Sequence, residues 1–278
     1  MKRGILYICP TPIGNLEDIT LRTIRILGEV DLIAAEDTRH TIKLLNHYDI
    51  KKPLTSYHEH NIKEKGSMLI EKLSLGQNIA LVSDAGMPGI SDPGEELIRQ
   101  AIDEGIEVIG LPGPTASITA LVISGLSTDK FIFEGFLSSK KGDRKKELEK
   151  IKEYRKTTII YEAPHRLINL LEDMRDILGN RKISISRELT KKYEETFRGT
   201  VAEALEKFKT LGVKGEFVLI VEGNHEEDEI EEIDIHQLLN QYINEGFTKK
   251  EAVKRVSEET GIAKNLVYKE SLKLVKSE

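Results

Sequence analysis

Leu81-Val82-Ser83-Asp84-Ala85-Gly86-Met87-Pro88-Gly89-Ile90-Ser91-Asp92-Pro93-Gly94 decides how the chain is read. The short apolar run from Ile79 to Val82 has the length and composition of a buried strand, and Glu95 to Ile102 that of a helix. Between them, two prolines and three glycines fix an irregular backbone and leave its polar groups open to a ligand. A loop at the carboxyl end of a strand in an α/β sheet is where ligands usually sit. An ordinary strand-to-helix turn is the plainer alternative, but such turns need only a few residues and this one is longer.

Toward the N-terminus, Ile5 to Cys9 reads as a strand running into Pro10-Thr11-Pro12-Ile13-Gly14-Asn15. Prolines stand near the positions where G-x-G-x-x-G would need glycines, which argues against a Rossmann-type dinucleotide site. Thr20 caps a helix with Leu21, Ile24 and Leu27 expected on one face. Leu32 to Ala35 is a further strand, and Glu36-Asp37-Thr38-Arg39-His40-Thr41 follows it. Acid, base and imidazole clustered at the end of a buried strand describe a site, and equally a capped helix start. Leu54 to Tyr57 is followed by His58-Glu59-His60, but no third ligand set lies near in sequence, so no metal is expected. Val108 to Leu111 leads through Pro112-Gly113-Pro114 into a helix over Ser117 to Ile123, whose N-terminus offers free N–H groups as a second ligand wall. Strands alternating with helices to about residue 125 predict a parallel sheet covered on both faces.

The texture changes after Leu126. Phe131 to Phe133, Thr158 to Tyr161, Ile183 to Ser186 and Phe217 to Val221 read as strands, the last three abutting charged residues at one end. Ser138 to Lys156 is strongly basic, and the cluster Lys140–Lys146 precedes most of its acids. A solvated helix and a phosphate-contacting patch both fit it. Glu226 to Asp234 is an acidic linker. Beyond it, Thr248-Lys249-Lys250-Glu251 is a capping box, Thr260-Gly261-Ile262 a turn, and Val267, Ser271, Leu274 and Val275 one face of a last helix. That spacing fits a small helical bundle or a helix-turn-helix.

The 278 residues suffice for two compact domains and a small appendage, and 39% hydrophobic with 32% charged residues is an ordinary soluble composition. No apolar run is long enough for a bilayer, and Met1-Lys2-Arg3-Gly4 enters a strand without a signal-peptide pattern. The lone Cys9 lies in the first apolar run and reads as a buried thiol of a reducing cytoplasm. At a formal charge of −6, contact with nucleic acid must come from local basic patches.

Leu6 to Leu16, Ala35-Glu36-Asp37-Thr38-Arg39-His40, Ser83 to Gly94, Leu111 to Pro114, Tyr161-Glu162-Ala163-Pro164-His165-Arg166, Arg187 to Lys191 and Lys214 to Gly223 follow one another as in a single family. Through these blocks the chain resembles the tetrapyrrole methylase superfamily, and within it the bacterial cytidine 2′-O-ribose methylases of small-subunit (16S) ribosomal RNA, over essentially its whole length. The resemblance implies an α/β fold of two domains, a parallel-sheet domain over 1–126 and a mixed-sheet domain over 127–224. A linker at 225–234 and a helix-turn-helix-like unit at 235–278 complete it. It further implies S-adenosylmethionine held between the domains. Its walls would be Thr11, Pro12 and Ile13, then Asp84, Ala85, Gly86, Met87 and Pro88, then Thr115, Ala116 and Ser117. The second domain would add Tyr161, Leu189, Thr190, Glu216 and Phe217. A cytoplasmic homodimer acting on ribosomal RNA within the assembled small subunit is implied too. One position departs from the family, which usually has threonine where this chain has Met87.

Attack of a ribose hydroxyl on a sulfonium methyl is favoured chiefly by alignment in a dry cleft, and a general base adds to it. The candidates are Asp37 and Glu36, then His40, then Glu188 and Lys191. Arg39 and Arg166 suit phosphate, since a guanidinium fork matches its oxygens. Lys140, Lys141, Arg144 and Lys145 form the basic RNA-binding patch expected beside them. Two other readings compete. A methylase acting on a corrin precursor would have a glycine-rich first loop and no C-terminal helical unit, and a non-catalytic RNA-binding factor would have let its strand-end loops drift.

Overall fold

The computed structural model describes residues 2–225 and 235–273. The expected linker Glu226 to Asp234, and Leu274 and Val275 of the last helix, lie outside the described residues. Contacts divide the chain into two compact units, Met1–Asn224 and His225–Glu278.

The first unit opens with β1 (Ile5–Ile8), α1 (Leu21–Glu29), β2 (Leu32–Ala35), α2 (Thr38–His47), β3 (Leu54–Ser56), α3 (Ile62–Ser74), β4 (Ile79–Val82), α4 (Glu95–Asp103), β5 (Glu107–Gly110) and α5 (Ala116–Ser124). The five strands are parallel, in the order β3-β2-β4-β1-β5. Every residue of β2 and β4 is buried, as expected of a parallel strand covered on both faces. Alternate residues enter different cores. Leu32 and Ala34 pack with Leu69, Leu73, Leu97 and Ala101 of α3 and α4, whereas Ile33 and Ala35 pack with Ile26, Leu27, Leu44 and Leu45 of α1 and α2. Cys9 is buried in the latter core, which pushes its thiol up to about 12 and keeps it unreactive.

Thr20 caps α1 as expected, but Leu21 is 85% exposed. Six residues at 100° each leave it about 120° around the helix from Leu27. The buried face is Thr23, Ile26 and Leu27.

The chain continues with β6 (Phe131–Phe136), α6 (Lys141–Lys152), β7 (Thr157–Glu162), α7 (Leu167–Leu178), β8 (Lys182–Arg187), β9 (Glu195–Thr200), α8 (Val201–Leu211) and β10 (Phe217–Val221). These strands form a mixed sheet, β6-β7-β10-β8-β9, in which only β6 and β7 are parallel. β9 has no signal in the sequence, because Glu-Thr-Phe-Arg-Gly-Thr has no apolar run; as an edge strand it pairs on one side only. Helices α6, α7 and α8 cover one face of this sheet. On the other face Ala120 and Leu121 of α5 pack on Ile159, Val218 and Ile220. A helix that follows the first sheet in sequence therefore covers the second, which joins the two sheets in one unit.

The second unit is α9 (Ile235–Asn244), α10 (Lys249–Thr260) and α11 (Lys264–Lys273) around Leu239, Ala252, Val253, Val256 and Val267. Thr248 and Glu251 form the expected capping box, and Gly261 ends α10 at φ +70°, a conformation that favours glycine.

Candidate functional site

β4 lies between β2 and β1, so its long loop meets the loops that follow both neighbours. Thr11 and Gly86 exchange backbone hydrogen bonds of 2.9 Å, and the Thr11 hydroxyl donates to the Ser83 carbonyl at 3.0 Å. On the other side the Asp37 N–H donates to Asp84 Oδ1 at 3.1 Å, and the Asp84 N–H donates to Glu36 Oε2 at 3.2 Å. Gly113 follows β5 and fits only because it lacks a side chain: a Cβ there would stand 2.3 Å from Pro10 Cγ.

These loops and the second sheet enclose a cavity of about 440 Å³. Ile13, Asp84, Ala85, Gly86 and Met87 form part of its wall, with Thr115, Ala116 and Ser117 at the start of α5. Tyr161, Leu189, Glu216 and Phe217 come from the second sheet and its loops. Of the expected cofactor wall, Thr11, Pro12, Pro88 and Thr190 stand outside the lining. Thr11 is buried and bridges loops, and the Thr190 hydroxyl accepts the Asn15 N–H at 3.1 Å. Met87 lines the cavity while packing on the core beneath the first sheet, so its bulk is used as packing. The Tyr161 hydroxyl accepts the Ser117 N–H at 3.1 Å and ties the second sheet to the N-terminus of α5.

The two leading acids differ sharply. Asp37 caps α2 and takes both arms of the Arg39 fork, at 3.1 and 2.7 Å, which holds its carboxyl down to about 2. It is not in the cavity wall. Arg39, expected on phosphate, pairs with Asp37 at the surface with its side chain 89% exposed, and His40 is exposed on α2. Glu36 does line the cavity, and burial raises its pKa, with Asp84, Asp92 and Asp37 nearby adding to the effect.

Glu188 and Lys191 lie in a loop whose backbone is strained: Glu188 and Thr190 have φ of +52° and +66°. Leu189 between them is turned into the cavity wall. Lys191 Nζ sits 3.0 Å from Glu188 Oε1 and 2.9 Å from Glu216 Oε2; burial opposes its charge, but these carboxylates hold its pKa up, so it donates and does not accept.

Two basic residues of the expected RNA surface are elsewhere. Arg144 is buried, with Nε and a terminal nitrogen 3.0 and 2.6 Å from Asp173 Oδ2, because one face of α6 packs on α7. Arg166 holds Glu162 at 3.0 Å and donates to the Leu137 carbonyl. Lys140 and Lys141 are exposed, and half-exposed Lys145 lies 3.6 Å from Asp173. Sequence reasoning missed nine lining residues. Ile90, Ser91 and Asp92 stand in the loop already singled out, Glu162, Ala163 and Pro164 belong to the charged block at the end of β7, and Phe136, Ser186 and Val218 give no signal. Asp92 Oδ1 accepts the Gly89 N–H at 2.6 Å, and burial raises its pKa.

Glu36, Asp84, Asp92 and Glu216 line the cavity, as does Glu162, which Arg166 holds, and among the described residues no lysine, arginine or histidine lines it. Such a lining repels phosphate and suits a cation. A parallel sheet joined to a mixed sheet in this way is a fold that solved structures share. The fold resembles cobalt precorrin-4 methyltransferase (TM-score 0.61, 15% identity, 78% of this chain and 94% of that one). It also resembles uroporphyrin-III-C-methyltransferase from Thermus thermophilus (TM-score 0.57, 19% identity, 79% and 94%). The Tetrapyrrole (Corrin/Porphyrin) Methylases profile matches residues 5–205, and the chain belongs to this family of methyltransferases. Within the family its place is with proteins named ribosomal RNA small subunit methyltransferase I. It is 54% identical to that of Halalkalibacterium halodurans over 96% of this chain and 94% of the relative, and 49% identical to that of Bacillus subtilis over 95% and 93%.

The family's methyl donor is S-adenosylmethionine, and the cavity fits it. The volume lies in the range of small-molecule sites, Ile13, Met87, Leu189 and Val218 offer apolar wall, and the carboxylates would favour a cationic sulfur.

Proposed function

We propose that this methyltransferase acts on the ribose 2′-hydroxyl of a cytidine in 16S ribosomal RNA, presented on the assembled small subunit, as a cytoplasmic homodimer. The reading rests on the likeness to the small-subunit RNA methyltransferases. The observation carrying its chemistry is the cavity lined by carboxylates and, among the described residues, by no cationic side chain. We take 1–126 and 127–224 as its two domains, joined through 225–234 to the helical unit at 235–278.

S-adenosylmethionine, when bound, supplies an electrophilic methyl on a cationic sulfur. The chain's residues do the rest. Asp84, Glu36 and Asp92 favour a positive centre, and the first turn of α5, apart from the Ser117 N–H that Tyr161 takes, offers N–H groups to polar parts of the cofactor. Holding the reactants in line in a cavity that excludes water is worth roughly 7–11 kcal/mol in favourable cases. Glu36 is the proton acceptor of this reading, since it alone of the first two candidates lines the cavity and its raised pKa makes it a better base than Asp37. Glu188 and Lys191 hold the loop that carries Leu189. Lys140, Lys141 and Lys145, with Lys249, Lys250, Lys254 and Lys264 of the helical unit, are the phosphate contacts a negatively charged protein needs.

The test is methyl transfer from labelled S-adenosylmethionine to small subunits from cells lacking the endogenous activity. Label recovered in an alkali-resistant dinucleotide is the expected result. Transfer to neither subunits nor naked RNA, with the cofactor bound, would overturn the substrate and point to small-molecule acceptors.

A further inference from the structure

Two large apolar side chains of the cavity wall are left open to solvent: Phe136 is 55% exposed and Ile90 is 56% exposed. Neither belongs to the expected cofactor wall. Exposed apolar residues scattered singly need no explanation, but a pair on one cavity does.

The backbone puts them there. The register of β6 against β7 shifts between Phe133 and Gly135, and Gly135 adopts φ +64°. A bulge of this kind re-aims the side chain that follows it. Phe133 remains packed edge-to-face on Tyr161, with centroids 5.1 Å apart, whereas Phe136 touches the same ring at 5.6 Å and keeps much of its surface free. The bulge also abuts the loop after β4. A Cβ at Gly135 would lie 3.9 Å from Ser91 Oγ, so the residue next to Phe136 meets the residue next to Ile90. Tyr161 cannot swing away to fill the space without giving up its hydrogen bond to Ser117.

We propose that Phe136 and Ile90 form an apolar slot at the cavity that takes the nucleobase of the nucleotide being methylated, with the base stacked on the free face of Phe136. The inference rests on the RNA reading above and deepens it. A nucleobase is flat and uncharged, so it suits this apolar rim while the carboxylates inside the cavity repel phosphate. Exposed Lys140 and Lys141 follow Phe136 by four and five residues and supply positive charge for the flanking phosphates. Stacking tolerates any base, so the slot positions the ribose and leaves the choice of nucleotide to the surrounding RNA.

The test compares Phe136→Ala, Phe136→Leu and Phe136→Trp in the full chain. Methyl transfer to unmodified small subunits gives kcat and KM, and titration with S-adenosylmethionine gives cofactor affinity. For Phe136→Ala, kcat/KM for subunits falls about 5- to 150-fold with cofactor affinity unchanged. Phe136→Leu, which keeps apolar bulk without a π face and stands in should the alanine variant fail to fold, loses activity in the same direction. Phe136→Trp retains it. Wild-type kcat/KM in the leucine or alanine variant overturns the proposal. So does a loss of cofactor affinity that matches the loss of activity, because Phe136 would then belong to the cofactor wall. If the wild-type protein, with cofactor bound, methylates no RNA, the RNA reading fails first and the slot falls with it, an outcome visible before any variant is made.

Discussion

The loops of the parallel sheet and the charged segments around the mixed sheet carry similar residues, yet the fold treats them differently. After β2 and β4, Glu36, Asp84 and Asp92 are held mainly by backbone N–H groups and keep their carboxylates on a cavity. Around the mixed sheet, Arg144, Arg166 and Lys191 are tied to Asp173, Glu162 and Glu188. Backbone partners leave a side chain its charge and its reach, whereas a side-chain partner of opposite sign uses up both. The first region is built to receive a ligand, and much of the second is built to hold shape.

The strongest way to break that contrast is to neutralise Glu36. Glu36→Gln should lower single-turnover methyl transfer by roughly 10²–10⁴ with the cofactor still bound, while Asp37→Asn leaves the rate near wild type. An equal loss in Asp37→Asn would erase the distinction. The pH profile sharpens it. A base must be deprotonated, so the wild-type rate should fall as pH drops through the raised pKa of Glu36, above the usual 4.5, and the glutamine variant should lose that acid limb.

Next in size is Arg144→Met, which leaves the buried Asp173 carboxylate only the half-exposed Lys145 as a partner. A loss of about 3–5 kcal/mol in urea unfolding is expected, and replacing Asp173 by leucine as well should recover much of it. RNA binding measured against salt should keep its slope in the double variant; a flatter slope would return Arg144 to the RNA surface. Gly113→Ala, driven against Pro10, should cost about 1–3 kcal/mol and weaken cofactor binding, because it separates two of the cavity's loops. The smallest effect belongs to Lys140→Ala with Lys141→Ala. Stability should not change, and the dependence of RNA affinity on salt should flatten by about one phosphate per lysine.

Much of this could be read from the chain. The fully apolar runs Leu32 to Ala35 and Ile79 to Val82 announced a covered parallel sheet, and the glycines and prolines after Val82 announced a cavity wall. β9 could not be read, because an edge strand needs no apolar run. Nor could Arg144 be told from its basic neighbours, since its partner Asp173 lies 29 residues away on another helix. Asp37 and Glu36 are adjacent in sequence, and only the turn into α2 sends one to Arg39 and the other to the cavity.

The sequence by itself determined the elements and the loops that end them, because local backbone preference and hydrophobic period act over a few residues. Which charges face the ligand was decided only by the tertiary structure. Strand order sets β4 between β2 and β1, helix packing buries one side of α6, and a bulge turns Phe136 outward. A carboxylate's or a guanidinium's role depends on the nearest opposite charge and on its distance from water, and both are properties of the folded chain.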